Sequence, residues 1–170
     1  MNSMKSKEAK KLFRSGAGCA QAILGAFYKE CGLEYDQAMR LASSFGAGMG
    51  RMREVCGAVS GMLMVSGLIE GPSKITSKTL KDRQYQRVQS LAHAVKKHSG
   101  SLICRELLGL PEGPDTPVSK ARTVAFYAQR PCEALIGRAA EILEQHLRKK
   151  KKHSTQNASR SATTKRRNTP

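Results

Sequence analysis

The sequence predicts an all-α fold, a compact helical bundle built around a central Gly-rich apolar helix. Three observations carry this. Apolar residues recur at helical spacing in several separate segments. No segment shows a convincing two-residue alternation. Aromatics make up only 5% of the chain and Trp is absent, so core volume must come from Leu, Ile, Val, Met and Ala, which suits closely packed helices.

The elements follow in order. Lys5–Phe13 reads as a short basic helix, broken by Ser15-Gly16-Ala17-Gly18. A second helix is predicted from Cys19 to Cys31, on the stripe Cys19, Ile23 and Ala26/Phe27, stopping at Gly32. Asp36 is the expected N-cap of a third, through Met39, Leu41 and Ala42 to Phe45. Gly46-Ala47-Gly48-Met49-Gly50-Arg51 is a glycine-rich connection. The central apolar helix begins near Glu54 or Val55 and ends at Gly71-Pro72; Gly57 and Gly61, one turn apart, let another backbone come close. A long polar-faced helix starts at Ser77 or Thr79 and ends at Ser99-Gly100. Ser101 caps a short one, Leu102–Leu108, and Leu110–Lys120, with three prolines, reads as loop. Pro131 suits the first turn of the last helix, whose stripe is Cys132, Leu135/Ile136, Ala139, Leu143 and Leu147.

Charge divides the chain. Its 170 residues hold 30 Lys+Arg against 13 Asp+Glu, a net charge of +17. Nine of the basic residues and none of the acidic ones lie in 148–170, predicted as a basic disordered tail following a domain over 1–147. The tail lacks stacking aromatics and an apolar face, and non-specific polyanion contact through 148–170 is its expected role if it has one. No run reaches the roughly 18 apolar residues of a membrane span. The basic N-terminal stretch leads into an amphipathic helix rather than a signal peptide, so a cytoplasmic location is expected. There, five cysteines argue for redox or metal chemistry rather than a disulfide framework.

Four cysteines, Cys19, Cys56, Cys104 and Cys132, each open a predicted helix and align with its apolar stripe. A sulfur in a first turn sits at the positive end of the helix dipole, which favours the thiolate. Any one of them alone reads as a small core residue. Four with the same placement point to a shared site. Cys31, at a helix C-terminus, reads as core or as an incidental thiol. The gaps of 37, 48 and 28 positions disfavour structural zinc, which uses closely spaced cysteine pairs. Three chemistries stay open: an iron–sulfur cluster on the four thiolates, redox-active cysteine pairs, and a soft-metal or small-ligand module associated with transport.

The glycine loop lacks the Gly-Lys-Ser/Thr of a Walker motif and the preceding strand of a dinucleotide-binding one. It is expected to pack helices closely, with Gly46, Gly48, Gly50 and Gly57 lining the thiol site and Arg51 or Arg53 adding positive charge. The four histidines read as solvated, and no motif attaches haem. Glycine-lined faces also suit a homodimer.

Gly18-Cys19-Ala20-Gln21-Ala22, Ser44-Phe45-Gly46-Ala47-Gly48-Met49-Gly50-Arg51, Cys56-Gly57-Ala58-Val59-Ser60-Gly61, Cys104-Arg105-Glu106-Leu107-Leu108-Gly109 and Cys132-Glu133-Ala134-Leu135-Ile136 occur in this order. The set resembles the bacterial and archaeal C_GCAxxG_C_C family over about Phe13 to Leu147. The resemblance implies an all-helical, redox-active domain whose four named cysteines fall on Cys19, Cys56, Cys104 and Cys132. A related domain occurs joined to haem-bearing electron-transfer modules, so the resemblance implies cluster ligation by these cysteines, with a redox partner expected. Cys31 and the basic tail lie outside the family pattern.

Overall fold

The computed structural model describes residues 3–74 and 77–167, with side chains up to Lys150. Among the described residues there are eight helices and no strand. They are α1 (Met4–Arg14), α2 (Cys19–Ala26), α3 (Tyr35–Ala42), α4 (Gly57–Glu70), α5 (Lys78–Ser99), α6 (Cys104–Leu107), α7 (Val124–Ala128) and α8 (Cys132–Arg167). The fold is all-α, as the periodicity predicts. The division at 148 falls largely on residues whose side chains lie outside the described set.

Helix α4 is the central helix. It lies against α2, α5 and α8, while α1 packs on α2 and α8. The core is built from Phe13, Ile23, Leu24, Phe27, Val59, Met62, Val65, Ile136 and Leu143, all essentially without solvent contact. The α2–α4 crossing depends on glycine. A Cβ on Gly61 would stand 2.8 Å from the Ala20 carbonyl oxygen, and one on Gly57 would stand 2.7 Å from that of Phe45 and 2.9 Å from the Cys19 Cβ. The two backbones therefore touch where larger residues would hold them apart.

Several boundaries differ from the sequence reading. Helix α2 ends at Ala26, not Cys31: Phe27 turns into the core and the chain leaves through tight turns to Gly32, at φ 68°. Cys31 thus sits in irregular backbone. Glu34 rather than Asp36 precedes α3, because the Gln37 side chain accepts the Glu34 N–H at 3.0 Å. Gln21 does the same for Gly18 at 2.9 Å, and its amide donates to the Met39 carbonyl, tying α2 to α3. After α3 a 3₁₀ turn spans Ser43–Phe45.

Helix α4 starts at Gly57 with Cys56 as N-cap, later than Glu54 or Val55. Val55 is instead held in an isolated antiparallel bridge with Ile103. Cys56 N–H donates to the Leu102 carbonyl at 2.8 Å, and Cys104 N–H to that of Glu54 at 2.7 Å. The same bridge shortens α6 to Cys104–Leu107, so Cys104 is its first residue; Ser101 caps the approach by accepting the Ile103 N–H. Helix α7, capped by Thr123, was not expected from the sequence.

Candidate functional site

Four helices begin at one end of the bundle, and each begins with a cysteine. Cys19, Cys104 and Cys132 are the first residues of α2, α6 and α8, and Cys56 caps α4. All four line one cavity of about 220 Å³. The close approach at Gly57 brings Cys19 against the start of α4, and the bridge, which sets Cys56 opposite Leu102 and Cys104 opposite Glu54, holds both on the same cavity wall. Cys56 and Cys104 are buried; Cys19 and Cys132 are half-buried. Cys31 is not part of the lining.

The glycine-rich connection is more unusual than a loop. Ala47, Gly48, Met49, Gly50 and Arg51 all have positive φ, between 54° and 73°, and Gly50 N–H donates to the Gly46 carbonyl at 2.9 Å. This is one turn of left-handed helix. Three of its residues are not glycine, and each costs about 1 kcal/mol or more. Gly48 cannot be otherwise: a Cβ there would lie 2.6 Å from the Cys104 Cβ. Of the glycines expected at the site, Gly46, Gly48 and Gly57 line the cavity with Arg51; Gly50 does not, but closes the turn that presents them.

Each of the four sulfurs faces a donor. The Ala47 N–H of the left-handed turn is directed at Cys19. The Ala58 and Val59 N–H groups of the first turn of α4 point at the Cys56 sulfur, in the manner of an N-cap. Arg53 donates from Nη1 to the Cys104 Sγ at 3.8 Å. The Cys19 thiol donates to Cys132, which also feels the charge of Arg130.

These donors do not make every thiol acidic. Burial pushes Cys56 up to about 12, and Cys104 is raised for the same reason despite Arg53. Cys19 is raised because it donates its proton to Cys132 and is desolvated. Only Cys132 is lowered, chiefly by accepting that hydrogen bond, against burial and the neighbouring sulfurs. The helix-dipole expectation of four low-pKa thiols is thus corrected for three of them in the metal-free chain. Desolvation of sulfur outweighs a dipole contribution of about 1 kcal/mol or less. Cys31 is also raised, to about 11, by burial.

The remaining lining is strongly cationic. Arg51, Arg53, Lys120, Arg122 and Arg130 contribute to it, and no carboxylate does. Arg53 is 1% exposed, adopts φ 63°, and has no partner for its Nε. Asp115, from the loop after α6, accepts from Arg53 Nη2 at 2.6 Å and Arg51 Nη2 at 2.7 Å. Its N–H donates to the Arg51 carbonyl, and Arg51 Nε donates to that of Thr116, so the loop is latched to the left-handed turn. Sequence reading had named Arg51 and Arg53 but missed Lys120, Arg122, Arg130 and Asp115. They come from a proline-rich segment with no periodicity to place it.

Among the described residues no three Cys, His, Asp or Glu side chains gather closely enough to share one metal ion. A single soft ion is therefore poorly served. An iron–sulfur cluster makes a different demand, since its irons take separate thiolates. Four sulfurs spread around a cavity, three of them with an N–H donor, and a cationic wall to offset the charge fit that demand.

The fold and the site define a small helical domain with a four-thiol centre at the converging ends of its helices. The chain belongs to the family described as "Putative redox-active protein (C_GCAxxG_C_C)", which it matches over residues 17–146. No curated protein and no solved structure matches it. No helix among the described residues is long and apolar enough to cross a membrane.

Proposed function

We propose that this chain is an electron-transfer or sensing protein in which Cys19, Cys56, Cys104 and Cys132 together hold an iron–sulfur cluster. The observation that carries the reading is that these four sulfurs line one cavity whose wall holds five cations and no carboxylate, with Ala47, Ala58 and Val59, and Arg53 aiming N–H donors at three of them. Donors to sulfur stabilise thiolate ligands and set the potential of the cluster they hold. When bound, such a cluster supplies one-electron chemistry. The protein's part is to present the four sulfurs, offset their charge with Arg51, Arg53, Arg122 and Arg130, and exclude water through the buried Cys56 and Cys104 side.

A second reading rests on the Cys19–Cys132 contact. One thiol donating to a neighbour of lowered pKa is the arrangement of a dithiol couple. Oxidation of that pair to a disulfide releases two electrons to an acceptor, with loss of the remaining thiol proton.

Both readings meet in one measurement. The full chain is purified without oxygen and assayed for iron, acid-labile sulfide and accessible thiols. The expected result is stoichiometric iron and sulfide, with Cys31 alkylated and the other four protected. No iron or sulfide, with reversible loss of two thiols at Cys19 and Cys132, selects the dithiol instead. Five freely reacting thiols with no redox response overturns both.

A further inference from the structure

We infer that the rim of the thiol cavity is a docking face for an acidic electron-transfer protein. The inference rests on the redox reading above and goes beyond it to the partner.

The rim is the segment from Val118 to Arg130, which supplies Ser119, Lys120, Arg122, Phe126 and Arg130 to the cavity wall. From Thr116 to Cys132 the sequence has three cations and no acid. The nearest carboxylates are already engaged: Asp115 is held by Arg51 and Arg53, and Glu133 pairs with Arg14 at 2.9 Å. The face therefore presents positive charge that nothing on the rim cancels.

That charge is held in place. The Arg122 guanidinium lies 4.7 Å from the Phe13 ring centroid and 4.9 Å from that of Phe126, and it donates to the Ala17 carbonyl at 3.2 Å. The Arg130 guanidinium lies 4.7 Å from the same Phe126 ring centroid. Stacking on an aromatic face orients a guanidinium without neutralising it, so a partner's carboxylates meet charges that need little further ordering. Tyr127 fixes the segment to α1 by donating to the Arg14 carbonyl at 3.1 Å.

The rim also carries the apolar surface an interface needs. Val118 and Val124 are 70% and 88% exposed. Apolar contacts ringed by cations give a partner both a desolvated centre and electrostatic steering. Cys19 and Cys132 are half-buried residues, whereas Cys56 and Cys104 are only 7% and 6% exposed. A partner seated on the rim thus approaches the centre from its accessible side. An acidic protein surface fits this face, and a basic one is repelled by it.

The test is binding, which needs no electron to move. The full chain, prepared without oxygen, is titrated calorimetrically with an acidic plant-type [2Fe–2S] ferredoxin as probe, in low salt. Saturable binding is expected, weakened about tenfold by Lys120→Glu and a few-fold by Val124→Ser, and weakened by salt. Lys81→Glu is the control. It makes the same charge change on α5, about 25 Å along that helix from its thiol-side end, and should leave the affinity within about twofold. Absence of saturable binding overturns the proposal. So does equal weakening by Lys120→Glu and Lys81→Glu, which would mean attraction by net charge alone. If binding behaves as expected but no iron or sulfide is found, the docking face stands and the cluster reading falls.

Discussion

Helix α4 has an acidic group at each end, and the two ends treat it in opposite ways. At the C-terminal end Glu70, with a side chain only 1% exposed, meets Arg87 at 3.3 Å, His146 at 2.8 Å and Lys150 at 2.7 Å. Burial alone would raise its pKa, but hydrogen bonds from Lys150 and His146 and the charge of Arg87 hold it below the usual carboxylate range. The carboxylate is ionised and satisfied. At the N-terminal end Cys56 and its three companions are surrounded by cations as well, yet burial keeps Cys56 and Cys104 protonated, and the hydrogen bond it donates to Cys132, with burial, does so for Cys19. One end is a closed ion cluster that joins α4, α5 and α8. The other is a cavity lined by five cations and no carboxylate. The first ties three helices to one shared carboxylate; the second has no carboxylate in its lining to engage its cations. His146, expected to be solvated, belongs to the closed end.

The largest effect that separates the ends comes from the thiols. Replacing Cys19, Cys56, Cys104 or Cys132 singly by Ser should reduce bound iron at least tenfold, by metal analysis, whereas Cys31→Ser should leave it unchanged. Equal losses at Cys31 would erase the distinction between site and bystander.

At the closed end, Glu70→Ala removes the carboxylate that Arg87, His146 and Lys150 share and should cost about 2 kcal/mol in urea unfolding, with iron content retained. The sign of its pH dependence follows from the lowered pKa. The stabilisation is present above the ordinary carboxylate range and is lost as pH falls below it. Gly57→Ala tests the crossing between the ends. It should cost roughly 2 kcal/mol by overpacking and also disturb Cys19, whose Cβ it would crowd.

In iron-free protein, alkylation mapped by mass spectrometry should find Cys132 reacting first at neutral pH, and Cys56 only as pH approaches 12. The raised pKa of Cys56 stabilises the fold below its ordinary value of 9.0, and that contribution disappears as pH rises from there toward 12. The smallest effect is expected at Asp115→Asn, which keeps an acceptor for buried Arg53 but removes the charge. It should speed hydrogen exchange over 110–123 and lower the unfolding midpoint less than Glu70→Ala does. In the unaltered chain Asp115, held down to about 2 by Arg53, keeps the latch until pH falls from 3.8 toward that value.

Much of this was legible in the sequence. The all-α class, the central helix with its paired glycines and the placement of four cysteines at helix starts follow from periodicity and from residues whose chemistry is local. Three of the misplaced boundaries share one cause. Cys31, Val55 and Ser101 were assigned by helical pattern, and each is governed by a long-range contact instead: the burial of Phe27, and the bridge between Val55 and Ile103. The left-handed turn over 47–51 shows the same limit. Its glycines suggest a tight connection, but nothing local requires Ala47, Met49 and Arg51 to take positive φ.

By itself the sequence determined on which elements the four sulfurs stand, because a helix start is set within a few residues. Only the tertiary structure decided what those sulfurs are like. Whether a thiol keeps its proton depends on how deeply it is buried and on which donor, from which distant segment, is brought against it. For Cys104 that donor is Arg53, steadied by Asp115; for Cys132 it is Cys19, from the other end of the chain. Desolvation and pairing act through space, and the chain's order records neither.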